Sequence, residues 1–302
     1  MTNPATAISR RSFLGTATAA AASMALPGSA GAAVKSVDRP TICAFIKFLQ
    51  SLSYDEMAKR IADIGFDGTE STVRRKGHVL PERVKDDLPR HYEAVTAQGL
   101  DLTIMTTDVL SVDQPYTEDV LRTGASLGVK KYRMGFYRYD LKRSFKQQLE
   151  EIRPKVRELA ALNQELGITA VYQNHCGVDF VGAPLWDLRY LLEGIPKEQI
   201  GSAFDIRHAT VEGGLTWPID YEAMQPHIGA VFVKDFQWDG KKPQHVPLGE
   251  GRVDSEFLKK HLRSGIDCPI SLHVEYLKNG SADENTEALR RDYKTLLSWL
   301  GS

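Results

Sequence analysis

Eight short apolar runs alternate with longer amphipathic stretches along most of the chain. The runs begin about 33 residues apart on average, near Ile42, Phe66, Leu102, Lys131, Ile168, Gly201, Ala230 and Ile270. One strand and the helix that follows it need about this length, and such units build a parallel sheet. No glycine-rich phosphate-binding motif follows any run, which disfavours an open, doubly wound sheet. The pattern therefore predicts an α/β fold, a (β/α)8 TIM barrel, with the doubly wound sheet as the alternative.

Helix start and stop signals between the runs agree with this prediction. Ser53 begins a capping box, and the helix that it opens should end at Gly65. Ser144 opens a long helical stretch that continues to Leu166. Pro154 lies inside that stretch and is expected to kink it or to divide it in two.

The N-terminus has the pattern of an export signal. Arg10 and Arg11 stand in SRRSFLG, a twin-arginine motif, and a mildly apolar, Ala-rich stretch follows. That stretch is shorter than the roughly 20 residues that a membrane span requires. We expect residues 1–32 to be a twin-arginine signal peptide and residues 33–302 to be one barrel domain in the periplasm or outside the cell. A disordered N-terminus or a lone anchor helix is the alternative.

Composition narrows the class of partner. Residues 33–302 carry 36 basic and 39 acidic side chains, a formal net charge of −3. This balance predicts no binding to nucleic acid or to an anionic membrane surface. Cys43, Cys176 and Cys268 are too few for a disulfide framework. Cys43 and Cys268 adjoin in a closed barrel and could form a bridge there, but two buried, unpaired thiols are the favoured interpretation.

Polar side chains come at the ends of the last four apolar runs. They are Gln173 and His175, Asp205 and His208, Lys234, and His273 and Glu275. The C-terminal ends of barrel strands face one shared mouth, where catalytic groups gather. Two carboxylates and an amide oxygen beside imidazoles could hold a divalent cation, and oxygen-rich ligation favours Mg or Mn over Zn. The runs therefore predict an active site at the mouth.

Six motifs resemble the xylose isomerase-like sugar isomerase and epimerase barrels, a group that also contains the endonuclease IV-type enzymes. They are GFDGTE (65–70), VYQNH (171–175), FDIRHA (204–209), VKDF (233–236), PLGEGRVD (247–254) and SLHVEY (271–276). The resemblance extends over residues 39–301. It implies a TIM barrel, a small-molecule saccharide substrate and a divalent metal, and it admits a homo-oligomer.

The resemblance also implies a set of metal ligands, and this chain departs from it. Family enzymes usually bind one metal through Glu, Asp, His and Glu on strands five to eight. Asp205 and Glu275 match two of these positions, whereas Gln173 replaces the first Glu and Phe232 replaces the His. The metal ligands expected here are therefore Gln173, Asp205 and Glu275. The pair of metal-bound glutamates that exchanges protons in family ketose epimerases is broken.

Proton transfer is then assigned to other side chains. Lys234, His175, His208 and Glu275 are the catalytic candidates, because a buried amine, an imidazole or a carboxylate can act as acid or base. The alternative for Lys234 is a structural salt bridge with Asp205 or Glu275. His208 follows Asp205 at D-x-x-H spacing, which in the family contacts substrate.

Further side chains are candidates for binding the substrate. Glu70 ends the second run, where it either reaches the pocket or pairs with Arg74–Arg75, and His273 is a ligand for substrate or a core residue. Trp217 and Trp238 follow the sixth and seventh runs, where an aromatic face could stack on a sugar ring or only close helices over the barrel. Two further residues, Arg133 and Arg138, could bind an anion or meet surface acids.

Two hypotheses from different classes follow. The first is an exported enzyme that removes a proton next to a carbonyl of an uncharged sugar or keto-sugar, with metal assistance, as an isomerase or epimerase, or as a lyase or hydratase acting on 3-keto-glycosides. The second is a non-catalytic saccharide-binding barrel with a decayed metal site. A phosphodiesterase of the endonuclease type is disfavoured, because few histidines stand at strand ends.

Overall fold

Eight parallel strands close into a barrel in the computed structural model, which describes residues 39–301. They are β1 (Ile42–Phe45), β2 (Gly68–Thr72), β3 (Asp101–Thr106), β4 (Lys131–Arg133), β5 (Thr169–Gln173), β6 (Ile200–Asp205), β7 (Ile228–Val233) and β10 (Ile270–Leu272). β1 pairs with both β2 and β10, which closes the barrel. The barrel prediction is confirmed, and the doubly wound alternative is wrong. The predicted signal peptide lies outside the described residues.

Helices connect the strands around the outside. They are α1 (Tyr54–Ile64), α2 (Val84–Ala97), α3 (Thr117–Ser126), α4 (Phe145–Leu166), α5 (Trp186–Leu191), α6 (Ile206–Gly213), α7 (Trp217–Met224), α8 (Glu256–Arg263) and α9 (Ala282–Leu300). The Ser53 hydroxyl caps α1, and Gly65 ends it with a φ of 105°. α4 runs unbroken through Pro154, so a division there is wrong, because Ile152 and Val156 are buried on either side. No helix within residues 39–301 is long and apolar enough to cross a membrane.

Two layers of apolar side chains support the mouth. The larger layer lies between strands and helices, and a smaller one fills the barrel interior with Cys43, Ile104, Val171, Ala203, Ala230 and Phe232. Cys43 belongs to the interior layer, whereas Cys268 belongs to the outer one. Both thiols are buried and free. The unpaired interpretation holds because the two side chains belong to different apolar layers.

A hairpin that the periodicity did not predict follows β7. It consists of β8 (Asp235–Asp239) and β9 (Lys242–Val246), paired antiparallel. The buried Asp235 carboxylate accepts four backbone N–H groups, at 2.8–3.0 Å, from Phe236, Gly249, Gly251 and Val253. A Cβ on Gly251 would lie 2.2 Å from Asp235 Oδ1, so only glycine lets the loop approach. The motifs VKDF and PLGEGRVD are thus two parts of one clamp that holds the chain beside the mouth.

Replacement of this carboxylate tests the clamp. Asp235→Ala leaves buried N–H donors without an acceptor and should lower the free energy of unfolding by about 3 kcal/mol or more. Urea unfolding measures the loss, and limited trypsin digestion should cut faster at Arg252. Asp239→Ala, at an exposed position of the same hairpin, should change stability by less than about 0.5 kcal/mol. Equal stability of the two variants would refute the clamp.

Candidate active site

A cavity of about 130 Å³ opens at the C-terminal ends of the barrel strands. Six of the predicted site residues line it: Glu70, Gln173, His175, Lys234, His273 and Glu275. Five more side chains complete its wall: Phe45, Lys47, Arg74, Arg133 and Phe136. Every barrel strand except β3 and β6 therefore contributes to the wall directly or through the loop that follows it.

The ammonium of Lys234 lies between two carboxylates at the floor of the cavity. Its Nζ donates to Glu275 Oε2 at 2.8 Å and lies 3.2 Å from Asp205 Oδ2. Lys234 and Asp205 are buried, whereas the Glu275 side chain is 24% exposed. The sequence order explains the arrangement, because Lys234 follows β7 directly and projects above the apolar Phe232, on the same face of the strand.

Mutual charge stabilises the ionised forms of Lys234 and Glu275. Burial would lower the pKa of Lys234, but the charges of Asp205 and then Glu275 outweigh burial and raise it. Burial would likewise raise the pKa of Glu275, yet the Lys234 charge holds it well below the usual range. The floor of the cavity is therefore a fixed cation flanked by two carboxyl groups, an arrangement whose electrostatic effect is strong in a poorly hydrated site.

Asp205 is fixed by both its backbone and its side chain. The Asn174 side chain exchanges two hydrogen bonds with the Asp205 backbone, at 2.7 and 3.0 Å. The Asp205 carboxylate caps α6 by accepting the His208 N–H at 3.0 Å, and it accepts Gln173 Nε2 at 2.7 Å. This carboxylate is fully buried. It therefore acts on the cavity through Lys234.

The residues present do not fit the divalent metal that the family implies. Asp205 and Glu275 both face the Lys234 ammonium, which already supplies the positive charge between them. Gln173 turns its amide nitrogen, not its oxygen, toward Asp205. Phe232 offers no ligand atom. A divalent ion would have to displace a buried cation and accept an incomplete oxygen shell.

A different group of ligand atoms occurs nearby. Among residues 39–301, potential ligand atoms of His175, Cys176 and His208 lie within 4.8 Å of one another. The guanidinium of Arg207 already contacts two of them, with Nη1 2.8 Å from Cys176 Sγ and 2.9 Å from His208 Nδ1. A metal ion there would have to face the charge of Arg207. This cluster does not fit a metal either.

Glu70 and His273 form a second ionisable pair on the opposite side of the barrel from Asp205. His273 Nε2 lies 2.9 Å from Glu70 Oε2, and the hydroxyls of Ser271 and Thr106 also donate to the buried Glu70 carboxylate. The His273 ring stacks on Phe45, with centroids 4.4 Å apart. Burial would raise the pKa of Glu70, but its interaction with His273 lowers it overall. Glu70 does not pair with Arg74–Arg75; it orients His273 toward the cavity.

The other two histidines occupy different depths. His175 is half-buried at the cavity wall, with its ring stacked on Phe180 at 4.3 Å and close to His208 at 4.0 Å. Burial and then the charge of Lys234 lower the pKa of His175 to about 4, so its ring is neutral at pH 7. His208 does not line the cavity, contrary to the prediction that it contacts substrate. It is buried behind His175, where α6 begins immediately after β6.

Neither predicted aromatic platform lines the cavity. Trp217 begins α7 and packs edge-on against Phe257 of α8, with centroids 5.7 Å apart. Trp238 is half-exposed on the hairpin and packs against Phe236. Both lie away from the cavity wall, because one belongs to the outer helical layer and the other to a hairpin that the sequence pattern did not reveal. The open alternative at strand four is also resolved: Arg138 meets the surface acid Asp179, whereas Arg133 lines the cavity.

Comparison with known proteins agrees with the fold. Residues 58–300 match the family described as the xylose isomerase-like TIM barrel. The chain belongs to this family. No curated protein sequence matches the chain.

Solved structures show the same barrel at low sequence identity. The 3-keto-D-glucoside 4-epimerase of E. coli is 15% identical, with a TM-score of 0.66 over 85% of this chain and 100% of the other. The D-allulose 3-epimerase of Methylomonas sp. is 14% identical, with a TM-score of 0.67 over 87% and 99%. A probable 3-DHS dehydratase from Bacillus anthracis is 16% identical, with a TM-score of 0.67 over 85% and 98%. At this identity the likeness establishes the fold alone.

Proposed function

We propose that this protein is a sugar-transforming enzyme that removes a proton from the carbon next to a carbonyl. The observation that carries the proposal is the ammonium of Lys234 fixed between Asp205 and Glu275 at the floor of a barrel-mouth cavity. An enediolate forms at an appreciable rate only where its oxygen faces a cation or strong donors. The E. coli and Methylomonas proteins of similar fold are both sugar epimerases, which favours a saccharide substrate.

Each side chain of the floor has a distinct role in this reaction. Lys234 has three N–H donors, two directed at carboxylates and one available to a substrate carbonyl oxygen. Asp205 is too deeply buried to touch substrate and holds the ammonium in place. Glu275 is partly exposed beside the same ammonium and takes the proton from carbon. When the substrate oxygen shares Lys234, Glu275 loses part of its stabilisation and becomes a stronger base.

A second proton-transfer group lies at the side of the cavity. His175 is half-buried, neutral at pH 7 and free at its outer ring nitrogen to meet a substrate hydroxyl, since Nδ1 bonds Cys176 O at 2.8 Å. His273, oriented by Glu70, is placed to bind a hydroxyl from the other side. Return of the proton to a different carbon gives isomerisation, and return to the opposite face gives epimerisation.

Elimination is a second candidate, and one observation favours it. Gln173 stands where a second glutamate would be needed to return a proton on the opposite face, and an amide cannot do so. Loss of a β-hydroxyl as water on the same face needs only one such group, because Glu275 can take the proton from carbon and return it to the departing hydroxyl. Product analysis separates the two candidates, because elimination gives an unsaturated ketone with a new ultraviolet absorption.

Glu275→Gln tests the assignment of the base. The carboxamide oxygen can still accept from Lys234, so the protein should fold, but turnover should fall by about 10²- to 10⁴-fold. Proton NMR in D₂O, with 3-keto-glucoside, D-allulose and D-xylose as trial substrates, measures exchange of the proton next to the carbonyl. Glu250→Gln, at an exposed position, is the matched control. Wild-type exchange rates in the Glu275 variant would overturn the assignment.

Two further expectations belong to the same proposal. If the wild type binds a sugar but catalyses no exchange of the proton next to the carbonyl, the protein is a saccharide-binding barrel and not an enzyme. Export through the twin-arginine route remains part of the proposal, and it rests on Arg10 and Arg11 in the N-terminal sequence.

A further inference from the structure

Three cationic side chains besides Lys234 line the cavity, and two of them come from strands on the far side of the barrel from it. Lys47 follows β1, Arg74 follows β2, and Arg133 ends β4. Within residues 39–301 no carboxylate forms an ion pair with any of the three. Their neighbours outside the cavity behave differently: Arg75 pairs with Asp108, and Arg138 pairs with Asp179. These two neighbours outside the cavity thus have carboxylate partners, whereas the three cations at its wall have none.

Arg133 is the most constrained of the three. It is 3% exposed, and its Nη1 is buried without a hydrogen-bond partner in the described part of the chain. Its guanidinium lies 4.6 Å from the ring centroid of Phe136. Burial and then the positive charge of Arg74 lower the pKa of Arg133 to about 10, so it stays charged at pH 7. A buried guanidinium with an N–H group that lacks an acceptor, near a second positive charge, is costly unless an anion completes the site.

The carboxylates of the cavity are already engaged. Glu70 binds His273, Ser271 and Thr106, and Glu275 binds Lys234. Four cationic side chains and two acidic ones line the cavity, and the excess positive charge lies on the side of Arg74 and Arg133. This side therefore attracts a negative group from solution.

We propose that the substrate carries an acidic group, a carboxylate or a phosphate, which Arg133 and Arg74 bind while Lys47 attracts it at the entrance. The inference rests on the proposed function and departs from the sequence-based expectation of an uncharged sugar. A guanidinium presents a planar pair of donors that matches such an anion. The acidic end of the sugar then lies toward β2 and β4, and the reacting carbonyl lies toward Lys234.

Binding measurements test the subsite without requiring turnover. Isothermal titration at low salt compares D-glucuronate, D-glucose 6-phosphate and D-glucose as probes. The wild type should bind at least one of the acidic sugars about 30-fold more tightly than glucose, as expected for charge-assisted hydrogen bonds to a buried site. Preference for glucuronate identifies a sugar acid, and preference for the phosphate identifies a sugar phosphate.

Variants show whether the preference arises at this subsite. Arg133→Met should remove most of it, and the fold should tolerate the change because an unpaired buried charge is removed. Arg74→Met should weaken it about tenfold, whereas Arg75→Met, paired to Asp108 on the surface, should keep it within twofold. Equal binding of glucose and both acids, or an unchanged preference in Arg133→Met, would overturn the subsite. Acid binding without proton exchange would instead reject the proposed reaction and leave the subsite standing.

Discussion

Lys234→Met is expected to lower turnover by about 10³-fold or more, the largest catalytic effect at this site. The substitution removes the cation that Asp205 and Glu275 share, and with it the donor for the developing oxyanion. Rates of proton exchange next to the carbonyl, measured by NMR in D₂O, give the loss. Lys241→Met, at an exposed position at the tip of the hairpin, should retain wild-type rates.

The same variant leaves two carboxylates without their shared cation, which costs about 3–5 kcal/mol when a buried ion pair is broken. The double variant Lys234→Met with Asp205→Asn removes the buried charge and should recover stability without recovering turnover. Treatment of the wild type with EDTA should change turnover by less than twofold. A stoichiometric metal whose removal abolishes turnover would show that Lys234 does not take the role of the family cation.

The fold could be predicted from periodicity because the sequence of each strand and helix favours that element locally. A spacing of about 33 residues, glycine stops such as Gly65 and the serine cap at Ser53 specify one βα unit at a time, and eight such units close on themselves. α6 and the hairpin after Lys234 were missed for a different reason. They depend on the side chains of Asp205 and Asp235, which cap one and clamp the other through hydrogen bonds that no periodicity records.

The site was predictable in location but not in pairing. Because the strands are parallel, the polar residues at the ends of several runs lie at one mouth. Gln173 and Phe232 already indicate in the sequence that the ligand set is altered. That Lys234 bridges Asp205 and Glu275 depends on distances across three strands of the closed barrel. Arg133 was visible as a candidate anion ligand. That it lacks a carboxylate partner depends on the three-dimensional structure, in which Glu70 and Glu275 bind other groups.

The free energy of unfolding is expected to fall steeply as the pH drops from 6.5 toward 4. Burial lowers the pKa of His261 and His78 to about 4, and burial with the charge of His78 lowers that of His91 to about 3. The unfolded chain binds these protons from about pH 6.5 downward. Each ring therefore contributes stability that is complete above pH 6.5 and is lost as the pH falls toward the folded pKa, about 3 kcal/mol for each. Urea unfolding at pH 7.5, 6.0 and 5.0 measures the loss.

His91→Gln isolates one of these contributions. The amide can keep a hydrogen bond to Ser71, which His91 Nε2 makes at 2.8 Å, but it binds no proton. The variant at pH 7.5 reports the change in packing alone, since the ring is neutral in both states there. Between pH 6.0 and 5.0 its free energy of unfolding should fall less steeply with pH than that of the wild type. The difference in slope should correspond to about one bound proton. An identical slope would mean that His91 is protonated within the fold. This pH range lies above the one in which the ionised Glu70 and Glu275 stop contributing to stability. Their lowered pKa values place that loss at more acidic pH.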